Sequence, residues 1–331
     1  MRGDRVQYGL LAMRALVLGG SGHVGNAVVR ELLSRGWAVT AARRGRTSAA
    51  NLAGLAGLPV AEALGDASDA RTLDRWVAGH DLVVDAAAPY PLTLAERGAI
   101  EVSARRATAL VDATVRHRAR LVHVGSFVTR ARDLEVHPYF AAKRAGEAVL
   151  AQAARGGAHV AIVHPTTCMG PWDSRPAAMS FVPRVLAGQV PAVPAHLINV
   201  VDVRDVAVGA VGAAEVPGPE PLVLAGHDIA IGELCTLLGE LAGVRVATRV
   251  IPAAAARAAA WAVELATLGA ARPPLLLPTL LALQQTALPV SAAQRALGAS
   301  PRPLTATLRD AIAWYRDNGS PPDAPSRPAV I

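Results

Sequence analysis

Residues 15–25, ALVLGGSGHVG, decide the fold of this chain of 331 residues. An apolar run with the character of a strand, residues 15–20, leads directly into a glycine-rich turn, and an amphipathic helix follows over residues 24–35. Gly19, Gly22 and Gly25 permit a tight turn and let backbone N–H groups approach a pyrophosphate, whose charge is favoured at a helix N-terminus. A glycine turn between the first strand and the first helix predicts a dinucleotide site.

Alternating apolar and amphipathic runs continue from this turn to residue 165. Further strands are expected at residues 37–42, 58–64, 81–88, 120–126 and 159–165, and further helices at residues 69–79, 95–118 and 138–155. The strand segments are almost continuously apolar, as expected when helices cover both faces of a sheet. The pattern predicts an α/β fold built on a parallel, doubly wound sheet.

Beyond about residue 166 the alternation loosens into proline-rich loops and helices. Residues 199–207, NVVDVRDVA, predict one more strand and a helix that Asp205 caps. Residues 1–12 precede the stretch MRALVLGG, which reads like a natural protein start, and we expect them to form a disordered extension. Residues 320–331 are rich in proline and are expected to form a disordered tail.

Composition narrows the class of protein. Apolar residues make up 52% of the chain and charged residues 18%, which allows a large core. The net charge of +7 comes from a low count of acids, and the arginines are spread along the chain, so nucleic-acid binding is not expected. Two distant cysteines and the lack of an apolar leader in residues 1–12 favour a cytoplasmic protein. The leucine-rich stretch at residues 273–294 is broken by prolines and predicts a buried wall or an apolar lid instead of a membrane span.

The end of the second strand bears on the choice of nucleotide. Sites for NAD place an acid there for the ribose 2′-hydroxyl, whereas this sequence has Arg43 and Arg44 with no acid nearby in the chain. A guanidinium can bind a 2′-phosphate with two hydrogen bonds, so NADP(H) is favoured and NAD(H) is the alternative. A pair of solvated arginines with no role in binding is the remaining interpretation. Asp66 follows the third strand and is expected either to accept a hydrogen bond from adenine or to cap the helix at residues 69–79.

Three side chains suggest proton chemistry. Lys143 is the only lysine in the sequence, since every other residue among the 33 basic side chains is arginine, and it lies four residues after Tyr139 on one helix face. A compact ammonium can bind ribose hydroxyls and lower the pKa of a neighbouring phenol. Ser126 ends the fifth strand, where a hydroxyl can hold a substrate oxygen beside that phenol.

These segments resemble the extended short-chain dehydrogenase/reductase family. The motifs GGSGHVG, DAAAPY, LVHVGSF, YFAAK, HPTTCMGP and NVVDVRDVA occur in the family's order over residues 13–319, and the sequence looks most like dihydroflavonol-reductase-like, hydroxysteroid-dehydrogenase-like and hopanoid-associated epimerase/reductase members. The resemblance implies a Rossmann domain, residues 13–165, and a smaller C-terminal substrate lobe, mainly residues 166–319, with segments around residues 196–215 returning to the first domain. It also implies a Ser–Tyr–Lys catalytic set, and often a homodimer packed through two long helices per subunit.

The cofactor residues expected from these motifs are Gly19, Ser21, Gly22, His23, Val24, Gly25, Arg43, Arg44, Asp66, Ala86, Ala87, Ala88, Tyr139, Lys143, His164, Pro165 and Thr167, and no metal site is expected. Two features depart from the family. The asparagine usual early in the helix after the fourth strand is absent, and Ser103 or Glu101 falls near its place. The arginine that often precedes the proline after the sixth strand is His164, which we expect to pack at the strand end without a catalytic role.

The expected activity is therefore that of an NADP(H)-dependent ketoreductase or alcohol dehydrogenase acting on a small, hydrophobic substrate. Tyr139 would protonate the developing alkoxide, Ser126 would hold its oxygen, and Lys143 would orient the ribose. A nucleotide-sugar epimerase or dehydratase with bound NAD is one alternative. A non-catalytic regulator that senses NADP(H) is the other.

Overall fold

The computed structural model describes residues 13–45, 50–55, 57–130, 134–173, 180–267, 276–283 and 287–318. The predictions for residues 1–12 and 320–331 lie outside the described residues.

A parallel sheet of seven strands forms the centre of the fold, in the order β10-β6-β5-β4-β1-β2-β3. The strands are β1 (Arg14–Leu18), β2 (Ala38–Arg43), β3 (Val60–Leu64), β4 (Leu82–Asp85), β5 (Arg120–Val124), β6 (Val160–Pro165) and β10 (Leu222–Leu224). This confirms the predicted parallel α/β sheet. β10 was not predicted from the sequence, because a strand of three residues is too short to show an alternation of apolar and polar side chains.

Side chains that alternate along each strand build two cores, one on each face of the sheet. In β1, Ala15 and Val17 point to one face and Leu16 and Leu18 to the other, and all four are fully buried. The helices that cover the sheet are α1 (His23–Ser34), α2 (Ala50–Ala53), α3 (Ala70–Val77), α4 (Gly98–His117), α5 (Pro138–Arg155) and α7 (Val203–Ala213). Residues of α1, α2 and α7 pack on the first face, and those of α3, α4 and α5 on the second.

The remaining elements follow β6 in the chain, and many of them contribute to a third core. They are β7 (Thr167–Met169), α6 (Phe181–Leu186), β8 (Ala192–Pro194), β9 (Leu197–Asp202), β11 (His227–Ala230), α8 (Ile231–Ala242), β12 (Arg249–Ile251), α9 (Ala253–Ala266), α10 (Leu276–Leu283), α11 (Ala292–Ala296) and α12 (Leu304–Asn318). Leu234 and Leu238 of α8 meet Leu308 and Ile312 of α12 in its centre. β9 pairs with β7 and β11 in a separate three-stranded sheet, whereas α7, directly after it, packs on α1. The division into domains at residue 165 stays a prediction.

The predicted cap of α7 is wrong by three residues, and so is the cap of α3 that was one of the two alternatives for Asp66. Asp202, and not Asp205, caps α7: its backbone is extended and its carboxylate accepts a hydrogen bond from the Arg204 N–H. Asp205 lies inside the first turn, where it accepts a hydrogen bond from the backbone N–H of Arg302. Likewise Asp69 caps α3 through the Thr72 N–H, while Asp66 only accepts a local bond from Ser68. In both cases the sequence offers two acids in the same loop or turn, and backbone geometry selects the one that is extended at the helix start.

Part of the leucine-rich stretch at residues 273–294, which was predicted to form a buried wall or an apolar lid, forms α10. Leu276, Leu277 and Leu280 are fully buried and pack in one cluster with Tyr139 and Phe140 at the start of α5. Among the described residues, no helix combines the length and apolar character needed to cross a membrane.

Candidate active site

A cleft of about 530 Å³ opens at the carboxyl ends of the central strands. The strand order reverses between β1 and β4, because β1 continues to β2 on one side while β4 continues to β5 on the other. Such a reversal leaves a crevice between the loops that follow the two strands, where open α/β sheets bind their ligands. The glycine turn after β1 and residues 86–88 after β4 lie on either side of this crevice.

The glycine turn is packed so closely that side chains are excluded at two positions. Gly19 has φ +76°, a left-handed conformation that favours glycine, and its N–H donates to the Ala42 carbonyl. A Cβ added to Gly25 would stand 2.1 Å from the Gly19 carbonyl oxygen. The first turn of α1 is therefore pressed against the loop that precedes it, and residues 22–25 line the cleft. This arrangement fits a pyrophosphate at the helix N-terminus.

Two buried asparagines hold the glycine turn by hydrogen bonds, and neither was predicted from the sequence. The Asn51 side-chain amide donates to the carbonyls of Ser21 and Trp172, at 3.1 and 2.9 Å. Asn26, fully buried in α1, donates to the Asn51 carbonyl at 3.3 Å and accepts from Arg30. A buried asparagine has to satisfy its amide hydrogen bonds, so these contacts fix the conformation of the turn.

Ser126, Tyr139 and Lys143 line the same cleft as the glycine turn. Tyr139 is 5% exposed, and Tyr90 lies beside it with the ring centroids 4.8 Å apart. The Lys143 Nζ is 6.0 Å from the centre of the Tyr139 ring, as expected for residues one helical turn apart. His137 caps α5 by accepting a hydrogen bond from the Tyr139 N–H, and burial lowers its pKa to about 4. The phenol is therefore held at the first turn of a helix whose cap is a neutral imidazole at neutral pH.

Burial among protein atoms lowers the pKa of Lys143, while the carboxylates of Glu147 and Asp85 act in the opposite direction. Glu147 follows Lys143 by one turn of α5, and its Oε2 is 2.9 Å from the Nε2 of His164. His164 is 2% exposed and is not among the residues that line the cleft. The ring of His164 turns toward Glu147 on α5, and its predicted contact with the cofactor stays a prediction.

A second buried charge cluster lies beneath the loop after β4. Asp85 is 1% exposed and receives two hydrogen bonds from the Arg106 guanidinium, at 2.6 and 2.9 Å. Its carboxylate is also 2.9 Å from the Nδ1 of His123. Burial alone would raise the pKa of Asp85, but the charge and hydrogen bonds of Arg106 outweigh it and lower that pKa well below its usual range. The cluster ties α4 and β5 to the loop, residues 86–88, that borders the crevice.

The two arginines after β2 are in different environments. Arg43 is partly buried and its Nε lies 2.8 Å from the Glu62 carboxylate on β3, whereas Arg44 is exposed. The sequence shows no acid near Arg43, but β2 and β3 are adjacent strands and bring Glu62 beside it. Neither arginine lines the cleft as it stands.

The predicted cofactor residues divide into two groups. Those that line the cleft are Gly22, His23, Val24, Gly25, Ala86, Ala88, Tyr139, Lys143, Pro165 and Thr167. Those that do not are Gly19, Ser21, Arg43, Arg44, Asp66, Ala87 and His164. Gly19 and Ser21 belong to the turn itself, while Asp66 is exposed beyond β3.

The far part of the cleft is mainly apolar. Its walls include Phe127, Val128, Met169, Phe181, Val193 and Ile198, with Pro278 and Leu281 of α10. Apart from Lys143, Arg184 is the one basic residue among the described residues that line it. Asp173 also lines it, and its carboxylate accepts a hydrogen bond of 2.6 Å from the Tyr315 hydroxyl.

Comparison with known proteins places the chain in a family. The sequence profile of the NAD-dependent epimerase/dehydratase family matches residues 15–220, so the chain belongs to that family. This confirms the resemblance to extended short-chain dehydrogenases/reductases and the use of NAD or NADP at the level of the family.

Named relatives include reductases. The chain is 27% identical, over 92% of its length and 94% of the relative's, to a protein of Synechocystis sp. described as a candidate dihydroflavonol 4-reductase. It is 30% identical, over 75% of its length and 79% of the relative's, to the 4-hydroxy-2-methyl-3-oxo-4-farnesyl-3,4-dihydroquinoline-1-oxide ketoreductase of Stigmatella aurantiaca.

Solved structures share the fold. The crystal structure of gox2253 matches with a TM-score of 0.76 at 26% identity, covering 92% of this chain and 98% of the other. DesIV of Streptomyces venezuelae, a dTDP-glucose 4,6-dehydratase solved with NAD, matches with a TM-score of 0.72 at 23% identity over the same shares. At this identity, the likeness to DesIV shows the fold alone.

Proposed function

We propose that the protein is an NADP(H)-dependent ketoreductase, able to run in reverse as an alcohol dehydrogenase, that acts on a small apolar substrate. The observation that carries this proposal is the single cleft in which Ser126, Tyr139 and Lys143 lie beside the glycine turn and face an apolar chamber. The residues present fit a dinucleotide, since the turn packs too closely to admit a side chain at Gly25 and the start of α1 lines the cleft at Gly22, His23, Val24 and Gly25.

Each side chain of the set has a distinct task. Bound NADPH would supply the hydride. Tyr139 gives its phenolic proton to the oxygen of the carbonyl as the alcohol forms, and Ser126 donates a hydrogen bond to that same oxygen. Lys143 keeps a positive charge within reach of the phenol and offers N–H donors to the ribose hydroxyls. The cap by His137 and the packing of α10 hold Tyr139 in one place.

The preference for NADP(H) rests on Arg43 and Arg44 at the end of β2. In sites for NAD, an acid at this position holds the ribose, whereas this chain has two guanidinium groups there. Glu62 neutralises Arg43 in part, so we propose that Arg43 turns from Glu62 toward the 2′-phosphate when the nucleotide binds.

The preference for an apolar substrate rests on the far walls of the cleft. Among the described residues there, only Arg184 could balance the charge of a sugar diphosphate. The substrate in the name of the Stigmatella aurantiaca ketoreductase contains a farnesyl group. A cleft with apolar walls would suit an apolar group of this type.

An epimerase or dehydratase that keeps NAD bound is the second candidate, because the family whose profile matches the chain is named for such enzymes. The homodimer implied by the resemblance and the cytoplasmic location stay predictions.

The test is to purify the protein, identify any retained nucleotide, and follow NADPH consumption with a panel of hydrophobic ketones. We expect an empty site that binds NADPH and turnover of at least one ketone, with Tyr139→Phe as the matched inactive control. Retained stoichiometric NAD together with turnover of a nucleotide sugar would favour the epimerase. NADPH binding with no turnover of any substrate would favour the sensing regulator.

A further inference from the structure

Glu147 is a buried carboxylate directly behind the proposed catalytic lysine. It follows Lys143 by four residues on α5, so both side chains lie on one face of the helix. Glu147 is 8% exposed and His164, its partner at 2.9 Å, is 2% exposed. A charged group is rarely buried to this degree unless its charge is used or balanced.

The surroundings of Glu147 favour its ionised form. Burial would raise the pKa of Glu147, but the hydrogen bond and charge of His164, followed by the charges of His123 and Lys143, lower that pKa below its ordinary value. The carboxylate is also the largest influence that opposes the effect of burial on the pKa of Lys143, ahead of Asp85. Within this part of the fold, Arg106 and Cys168 are the other groups that act on Lys143.

A chain of polar contacts joins Glu147 to the loop that carries Ser126. The His164 Nε2 is 3.4 Å from the Thr129 hydroxyl, and that hydroxyl donates to the Ser126 carbonyl at 2.9 Å. A Cβ added to Gly125 would stand 2.2 Å from the Glu147 Oε1, so the carboxylate lies directly under the backbone that precedes Ser126. The position of Glu147 is therefore fixed from α5, from β6 and from the loop after β5.

We propose that Glu147 is the positioning residue of the Ser–Tyr–Lys site: its carboxylate, one turn of α5 from Lys143 and anchored by His164, keeps the Lys143 ammonium charged. This proposal rests on the proposed function for its catalytic meaning. It assigns no contact with substrate to Glu147, which acts through Lys143.

The charge of Lys143 can be measured without turnover, because Lys143 is the only lysine in the chain. Protein grown with ¹³C-labelled lysine gives one set of side-chain NMR signals, and their pH titration reports this ammonium alone. The variants are Glu147→Gln and Glu147→Met, which remove the charge, Glu147→Asp, which keeps it, and Glu31→Gln as a control on α1, where the glutamate is only partly buried.

We expect the Lys143 midpoint to fall by roughly one pH unit or more in Glu147→Gln and Glu147→Met, and to stay near that of the wild type in Glu147→Asp and Glu31→Gln. With a reactive ketone, kcat at neutral pH should fall about tenfold in the two uncharged variants while KM changes little. A midpoint unchanged in either folded uncharged variant would overturn the proposal. If the wild type consumes no NADPH while the midpoint still shifts, the proposed function fails but the effect of Glu147 on Lys143 stands.

Discussion

Substitution of Gly25 by alanine tests the packing of the glycine turn. The new Cβ would stand 2.1 Å from the Gly19 carbonyl oxygen and 2.7 Å from the Gly19 carbonyl carbon. An ordinary carbon–oxygen contact needs more than about 3 Å, so α1 and the turn have to separate by roughly 1 Å. The turn cannot yield easily, because the N–H groups of Gly19 and Gly20 both donate to the Ala42 carbonyl on β2.

We expect Gly25→Ala to lower the free energy of unfolding by about 1–3 kcal/mol, the usual cost of overpacking. NADPH affinity should fall at least about tenfold, since a shift of roughly 1 Å misplaces the N–H groups that face the pyrophosphate. Urea unfolding followed by circular dichroism gives the first quantity, and the change in NADPH fluorescence on binding gives the second.

Gly218→Ala is the matched control. No atom lies within 4 Å of a Cβ added to Gly218, and its φ is not in the left-handed region, so its stability should change by less than about 1 kcal/mol with unaltered affinity. If Gly25→Ala unfolded at the same urea concentration as the wild type and bound NADPH equally well, the assignment of this turn as the pyrophosphate site would be refuted.

Three further predictions concern charges around the cleft. Arg43→Ala should weaken the binding of NADPH about tenfold and the binding of NADH hardly at all, as measured by fluorescence titration. An equal loss of affinity for both nucleotides would contradict the assignment of Arg43 to the 2′-phosphate. His137 has its pKa lowered by burial from 6.5 to about 4, so only the unfolded state takes up its proton in that window and stability falls as pH drops through it. His137→Asn keeps a capping side chain but has no group that titrates in this window. As the pH falls from 6.5 to about 4, the free energy of unfolding of the wild type should therefore drop by up to about 3 kcal/mol more than that of the variant, as measured by urea unfolding at each pH. Arg106→Leu removes the guanidinium that balances the buried Asp85 carboxylate and leaves it with His123, which should cost about 3–5 kcal/mol, and the double variant with Asp85→Asn should recover part of that loss.

Local patterns were enough to predict the sheet, because its signals lie within single segments. A continuous apolar run such as residues 15–18 predicts a strand covered on both faces, and the glycine turn requires a strand before it and a helix after it. The three-residue strand β10 carries no such pattern and is defined only by its pairing with β6. The choice between Asp202 and Asp205 as the cap of α7 depended on backbone conformation, which composition does not show.

The candidate site was predictable where its residues follow strand ends or share a helix face. Tyr139 and Lys143 are four apart, and the sequence shows this directly. The pairs Arg43–Glu62 and Asp85–Arg106 join residues 19 and 21 positions apart, and tertiary packing alone brings them together. Asp85 did give a signal, since an acid ends an otherwise apolar strand in DLVVD; a buried acid there implies a buried cation, although not which one.

Transfer of deuterium from NADPH labelled at its reactive carbon shows whether the protein reduces a ketone with Tyr139 as the proton donor. The wild type should place one deuterium on the former carbonyl carbon of a hydrophobic ketone, and Tyr139→Phe should lose at least about a hundredfold in that rate while still binding NADPH through the glycine turn. An alcohol product without deuterium, or a Tyr139→Phe variant that transfers it as fast as the wild type, would contradict the assignment of Tyr139 as the proton donor of a ketoreductase.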